Sequence, residues 1–161
     1  MGVTTALRRA LKDEFFPYVE TRGFIADTAL QPRSTIYRRR APNVMQMFEV
    51  QWEKYGKPRF ALHFGTCPLE GLLIHGERHL PESVLPTWCA DAGSLQPGRG
   101  AGTDSWFRQD ATVVQRLLLQ PALRQPADVV QELLALFPEL ERYWTSGEIG
   151  PHLRLWHPRH A

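Results

Sequence analysis

The sequence predicts a single α+β domain: an antiparallel sheet of about four or five strands, an N-terminal helix on its apolar face, and a C-terminal helical segment. Three observations predict it. A helical apolar repeat opens the chain, two alternating runs flank a glycine turn in the middle, and helical spacing returns in the last third. The 161 residues are 43% hydrophobic and 22% charged, a globular composition that excludes wholesale disorder, a collagen and a coiled coil, and one domain over 1–161 is expected.

The first helix, about 3–22, rests on Val3, Leu7, Leu11, Phe15, Tyr18 and Val19, with Arg8, Arg9, Lys12, Asp13 and Glu20 on other faces. Pro17 is expected to kink or break it, because an interior proline lacks a donor and clashes with the preceding turn. Gly23 stands where a left-handed residue ends a helix, and Phe24 follows as its hydrophobic contact.

The sheet region, about 34–110, begins with a β-prone stretch from Ser34 to Arg40. Ala41-Pro42-Asn43 supplies a turn before a long strand from Val44 to Lys54. If Tyr55-Gly56-Lys57 is the next loop, the register pairs Trp52 with Phe60, Val50 with Leu62 and Phe48 with Phe64, making one face apolar. The other face then pairs Glu53 with Arg59, Gln51 with Ala61 and Glu49 with His63, and a one-residue slip destroys both patterns. The apolar face requires a cover, which the stripe of the first helix supplies. Between Pro68 and Asp110 the pattern weakens: loop and short turns from Leu69 to Leu80 with room for one strand, short strands at Val84 to Trp88 and at Trp106-Phe107, and a glycine-rich stretch from Gly93 to Gly102 between them.

C-terminal helices are expected over about 111–157: one at Ala111 to Gln120, and one opened by Pro126 with Val129, Val130, Leu133, Leu134 and Phe137 on its apolar face. Pro138 is expected to restart a helix through Leu140, Tyr143 and Trp144, with Gly147 ending it. Thr145 and Glu148 have capping-box spacing, although Gly150 and Pro151 argue against a long last helix.

Nineteen basic residues against 17 acidic ones leave a net charge of +2, too balanced for electrostatics dedicated to nucleic acid. Cys67 and Cys89 are the only cysteines, which excludes a multi-bridge secreted scaffold. No window reaches the roughly 18 apolar residues of a membrane span, and no apolar signal core opens the chain, so a reduced, bacterial-type cytoplasmic protein is the expectation.

A helix ending in Gly23-Phe24, then Ile36-Tyr37-Arg38, Val44 through Gln51, Tyr55-Gly56, Phe60 to Gly65, Cys89, Trp106-Phe107 and a helical tail resembles the bacterial domain-of-unknown-function family 4304, over about Leu7 to Trp144. The resemblance implies no activity, substrate or catalytic residue. The chain departs from the family pattern after Cys89, where Ala90-Asp91-Ala92-Gly93 stands in place of basic residues.

The leading functional expectation is a non-catalytic module that binds a small ligand or protein partner through the polar sheet face, with Arg38, Glu49, Gln51, Arg59 and His63 as candidate ligand residues. The competing reading is a solvated face of cross-strand ion pairs. An enzyme would require a concave site around Glu49, Gln51, His63 and Arg38 with displaced pKa values. A nucleic-acid backbone binder would use Arg33 to Arg40, but consecutive strand residues point to opposite faces. His75 and His79 with Glu77, Cys67 and Cys89 have the side chains of a zinc site without its spacing, so no metal and no cofactor is assigned. Gly98 to Gly102 lacks the ending of a phosphate loop, and His63 and Cys67 stand more than about 10 Å apart on one strand. Homodimerisation through Trp144 or Trp156 stays open.

Overall fold

The computed structural model describes residues 3–29, 33–100, 104–118 and 123–157, and the fold is α+β. The opening helix runs as α1 (Val3–Ala10), a π-helical turn (Leu11–Phe15) and α2 (Phe16–Thr21). The interruption expected from Pro17 therefore takes the form of a widened turn one step before it. Phe16 donates to the Leu11 carbonyl five residues back, and the chain passes the proline without breaking. Gly23 takes φ +90°, its N–H reaches the Glu20 carbonyl at 3.1 Å, and Phe24 N–H reaches the Val19 carbonyl at 3.2 Å. This paired closure ends the helix and turns the Phe24 ring inward.

The main sheet runs in the order β1 (Ile25–Ala26), β2 (Ser34–Arg40), β3 (Val44–Trp52), β4 (Arg59–Pro68), β7 (Gly93–Leu95) and β9 (Leu153–Leu155). A short β8 (Phe107–Arg108) pairs with the start of β4, and every pairing is antiparallel. The β3–β4 register is the one the alternation predicts: Trp52 opposite Phe60, Val50 opposite Leu62, Phe48 opposite Phe64, Gln51 opposite Ala61 and Glu49 opposite His63. The strands added to the four or five expected are only two or three residues long, too short to leave a period in the sequence.

One face of the sheet carries the main core. Phe48, Val50, Phe60, Leu62 and Phe64 lie against Leu7, Leu11, Phe15 and Val19 of the opening helix and Val130, Leu133 and Phe137 of α4 (Pro126–Ser146). Phe15, Phe24 and Phe48 each place a ring within about 5–6 Å of Phe137, the separation at which edge-to-face pairs add to burial. The opening helix and α4 both cover this face. Pro138 does not restart a helix. α4 is continuous for 21 residues across it, because the buried stripe from Val129 to Leu140 outweighs one lost backbone bond. Gly147 ends α4 at φ +78°; Thr145 and Glu148 form no capping box, since the Thr145 hydroxyl donates to the Glu141 carbonyl and the Glu148 N–H to the Ser146 hydroxyl.

The second face is divided. Its half around Met45, Met47 and Cys67 is roofed by the segment after β4, and a small core forms with Val84 and Cys89. That segment differs from expectation. Leu69 to Leu80 contains a hairpin of β5 (Leu72–Ile74) and β6 (Glu77–His79), turned by His75 and Gly76 at φ +51° and +81°. Val84 to Trp88 is no strand: 3-10 turns occupy Pro81–Ser83 and Pro86–Trp88, each opened by a proline. Gly65 is required beneath the second turn, because a Cβ there would lie 2.6 Å from the Pro86 carbonyl. The expected helix at Ala111 to Gln120 is shorter, α3 (Val113–Leu117), capped reciprocally by Thr112 and Gln115, and Leu119 and Gln120 lie outside the described residues, as do Ala101 and Gly102 of the glycine-rich stretch. The expected helical tail to 157 ends instead in β9, whose Leu153 fills the sheet edge of the core. No helix among the described residues is long and apolar enough to cross a membrane.

Candidate functional site

The half of the second face that the roof leaves uncovered is concave. Register sets one row of side chains across four strands there: Glu49 on β3 opposite His63 on β4, His63 opposite Ser94 on β7, and Ser94 opposite Arg154 on β9. Directly paired residues of an antiparallel sheet share a face, so carboxyl, imidazole, hydroxyl and guanidinium stand in line. Beside this row is a recess of about 650 Å³, walled by Trp106 and Trp156 and floored by Gln51, His63, Ser94 and Gln96. That volume is within the usual range for small-molecule sites.

Each wall is held in place. Trp156 donates its indole N–H to the Ser94 hydroxyl at 3.0 Å, and its ring stands edge-on to His63 with centroids 4.9 Å apart. Trp106 carries the Arg59 guanidinium over its ring at 5.1 Å. Arg59 is in turn 3.8 Å from Asp110 and 3.9 Å from Glu53, and Arg108 links Asp110 to Asp104. Glu53 also accepts the Tyr55 and Lys57 N–H groups, so it braces the β3–β4 turn. Arg59 and Glu53 support the wall from behind instead of facing the recess.

His63 and Glu49 are both held toward their uncharged forms. Burial pushes the His63 imidazole down to about 4, and burial raises the Glu49 carboxyl above the ordinary range against a hydrogen bond with Ser34 that lowers it. His63 Nδ1 is buried without a hydrogen-bond partner, and Glu49 Oε2 is 4.0 Å from it, beyond bonding distance. With His63 neutral, Arg154 is the one charged side chain among the described residues lining the recess.

Of the residues singled out from sequence, Gln51 and His63 line the recess, Glu49 lies behind His63, and Arg59 supports Trp106. Arg38 does not join them. It shares the face but sits under the roof, where Nε donates to the Pro81 carbonyl at 3.2 Å, one terminal nitrogen to the Val84 carbonyl at 2.8 Å, and the other to Asp27 at 2.6 Å. Ser94, Gln96, Arg154 and Trp156 were missed. Ser94-Leu95-Gln96 and Leu153-Arg154-Leu155 do alternate polar and apolar residues, the one signal available, but over three positions only.

The other candidate motifs separate in space. Arg38 and Arg39 point to opposite faces, Arg38 tied to Asp27 and Arg39 to Glu141 at 2.8 Å, so Arg38 to Arg40 is no continuous basic patch. His79 packs edge-on against Trp88 and His75 occupies a hairpin turn; no group of three His, Cys, Asp or Glu able to hold a metal occurs among the described residues. Cys67 and Cys89 are buried and unbridged, and burial raises both thiols, Cys89 to about 12. Trp144 packs at the edge of the main core, and Trp156 stands over His63 while staying partly exposed; Val113, Val114, Leu117 and Leu118 around α3 are among the other exposed apolar residues. Compared with known proteins, the chain matches no family model, no curated protein and no solved structure.

Proposed function

We propose that the protein is a non-catalytic binding module whose recess takes a small planar anion, an aromatic or heteroaromatic carboxylate being the simplest type. The observation that carries this reading is the pairing of two tryptophan walls with an Arg154 that makes no ion pair among the described residues. Tryptophan walls favour a flat ligand, and a guanidinium matches a carboxylate with two parallel hydrogen bonds. Neutral His63 with Gln51 offers hydrogen bonds to ring substituents without adding a competing charge.

The rival reading, general-base catalysis by His63 with Glu49 behind it, is favoured by their adjacency. The 4.0 Å gap and the depressed imidazole basicity weigh against it, since a general base works best with a pKa near the working pH. The test is the melting temperature of the full chain with benzoate, indole-3-acetate and nicotinate, each beside its neutral amide. A carboxylate at about 100 times its Kd should raise stability by about 2.7 kcal/mol, a shift of several degrees at this size, and its amide much less. Equal responses to acid and amide would refute the charge assignment.

A further inference from the structure

A second cleft, of about 610 Å³, lies on the helix-covered side of the sheet where α4 ends, and unlike the recess it contains a carboxylate. Val44, Ile149 and Leu153 make its walls apolar, and Tyr143 and Trp144 add aromatic rings. Asp91 is the acidic group on its lining, and Arg154 borders it from β9. Asp91 is 8% exposed, accepts the Thr66 N–H at 2.8 Å, the Thr66 hydroxyl at 2.6 Å and the Tyr143 hydroxyl at 3.4 Å, and makes no ion pair among the described residues.

Two further features make this cleft attractive to a cation. The 21-residue α4 ends at Gly147 on its lining, which brings the negative end of the helix dipole to it. Of the nearby basic groups, Arg39 is held by Glu141 and Gln46 and lies over the Phe24 ring and, at 5.8 Å, the Trp144 ring. Arg154 borders the cleft from β9, while its pairing with Ser94 sets its side chain toward the opposite face and no ion pair joins it to Asp91. A buried carboxylate without a counter-cation, a helix carbonyl end and aromatic faces together form a field that favours positive charge, and the apolar walls favour a hydrocarbon body.

We propose that this cleft binds a small organic cation with an apolar body, an alkyl- or arylammonium, with the ammonium near Asp91 and the end of α4 and the body against Val44, Ile149 and Leu153. No chemical step is involved. The test is calorimetric titration of the full chain with hexylammonium, 1-hexanol and hexanoate, which share a six-carbon body and differ in charge. Hexylammonium should bind about tenfold more tightly than hexanol, with hexanoate weakest. Asp91→Asn should reduce hexylammonium to the affinity of hexanol. Because Asp91 also holds the β4 backbone, Ile149→Arg at a residue 56% exposed is the second variant; it should stay folded by circular dichroism and weaken hexylammonium about tenfold. Equal affinity for ammonium and alcohol in the unsubstituted chain, or unchanged ammonium affinity in folded Ile149→Arg, would overturn the proposal. The recess is probed with aromatic carboxylates, so failure of one site is read separately from failure of the other.

Discussion

His63 and Arg38 share one face of the sheet and have opposite roles. Burial holds the His63 imidazole neutral down to about pH 4, whereas in the unfolded chain it takes up a proton near pH 6.5. The unfolded state thus binds more protons between those values, and stability falls as pH is lowered through that window. Glu49, raised by burial, acts with the opposite sign, because the folded state keeps its proton to higher pH than the unfolded chain. Between pH 7 and 5 the chain should lose about 2 kcal/mol more than His63→Gln does, read as the difference in urea midpoints; parallel losses would contradict a buried neutral imidazole. Arg38→Ala should cost about 2–4 kcal/mol, since it strands the Pro81 and Val84 carbonyls and Asp27, yet leave ligand affinity in the recess unchanged. Alternation alone placed Arg38 on the correct face. That a roof covers it depends on the 69–92 segment, whose prolines and short turns carry no period.

Among the elements, β9 decides whether the recess exists. It returns from the end of α4 to the edge of the sheet and delivers Arg154 and Trp156, and it is seated by Gln96 N–H on the His152 carbonyl and Trp156 N–H on the Ala92 carbonyl, both at 2.9 Å. Close approach at Gly93 permits this, because a Cβ there would lie 2.6 Å from the Arg154 carbonyl and 2.8 Å from the Phe64 ring. Gly93→Ala should therefore cost about 1–3 kcal/mol and expose the Gln96 and Trp156 amides to hydrogen exchange; retained protection at both would show that β9 is not held by this contact. The β3–β4 hairpin was legible because the alternation of Phe48 to Trp52 and of Phe60 to Phe64 around Gly56 admits one register. β9 was not, because three residues and a long-range partner leave no local pattern. Likewise, proline rules gave the positions of Pro17 and Pro138 but not the outcome, which the packing of Phe15 and Phe137 determines.

At the scale of the molecule, the sheet separates two environments. The opening helix and α4 bury one face, the 69–92 segment roofs half of the other, and the remainder becomes a recess with a polar floor, two indole walls and the Arg154 guanidinium, which makes no ion pair among the described residues. The sequence disclosed the layers and half of the candidate site, Glu49, Gln51 and His63. The other half waited on chain closure, since Ser94 and Arg154 reach the row only through pairings β4–β7 and β7–β9. The central claim is that Arg154 makes this recess an anion site. The most direct measurement is the Kd of the best-binding aromatic carboxylate for the unsubstituted chain and for Arg154→Gln, a residue exposed to solvent and safe to replace. The account predicts about tenfold weaker binding in Arg154→Gln with the amide unaffected. Equal carboxylate affinity in the two proteins would contradict it.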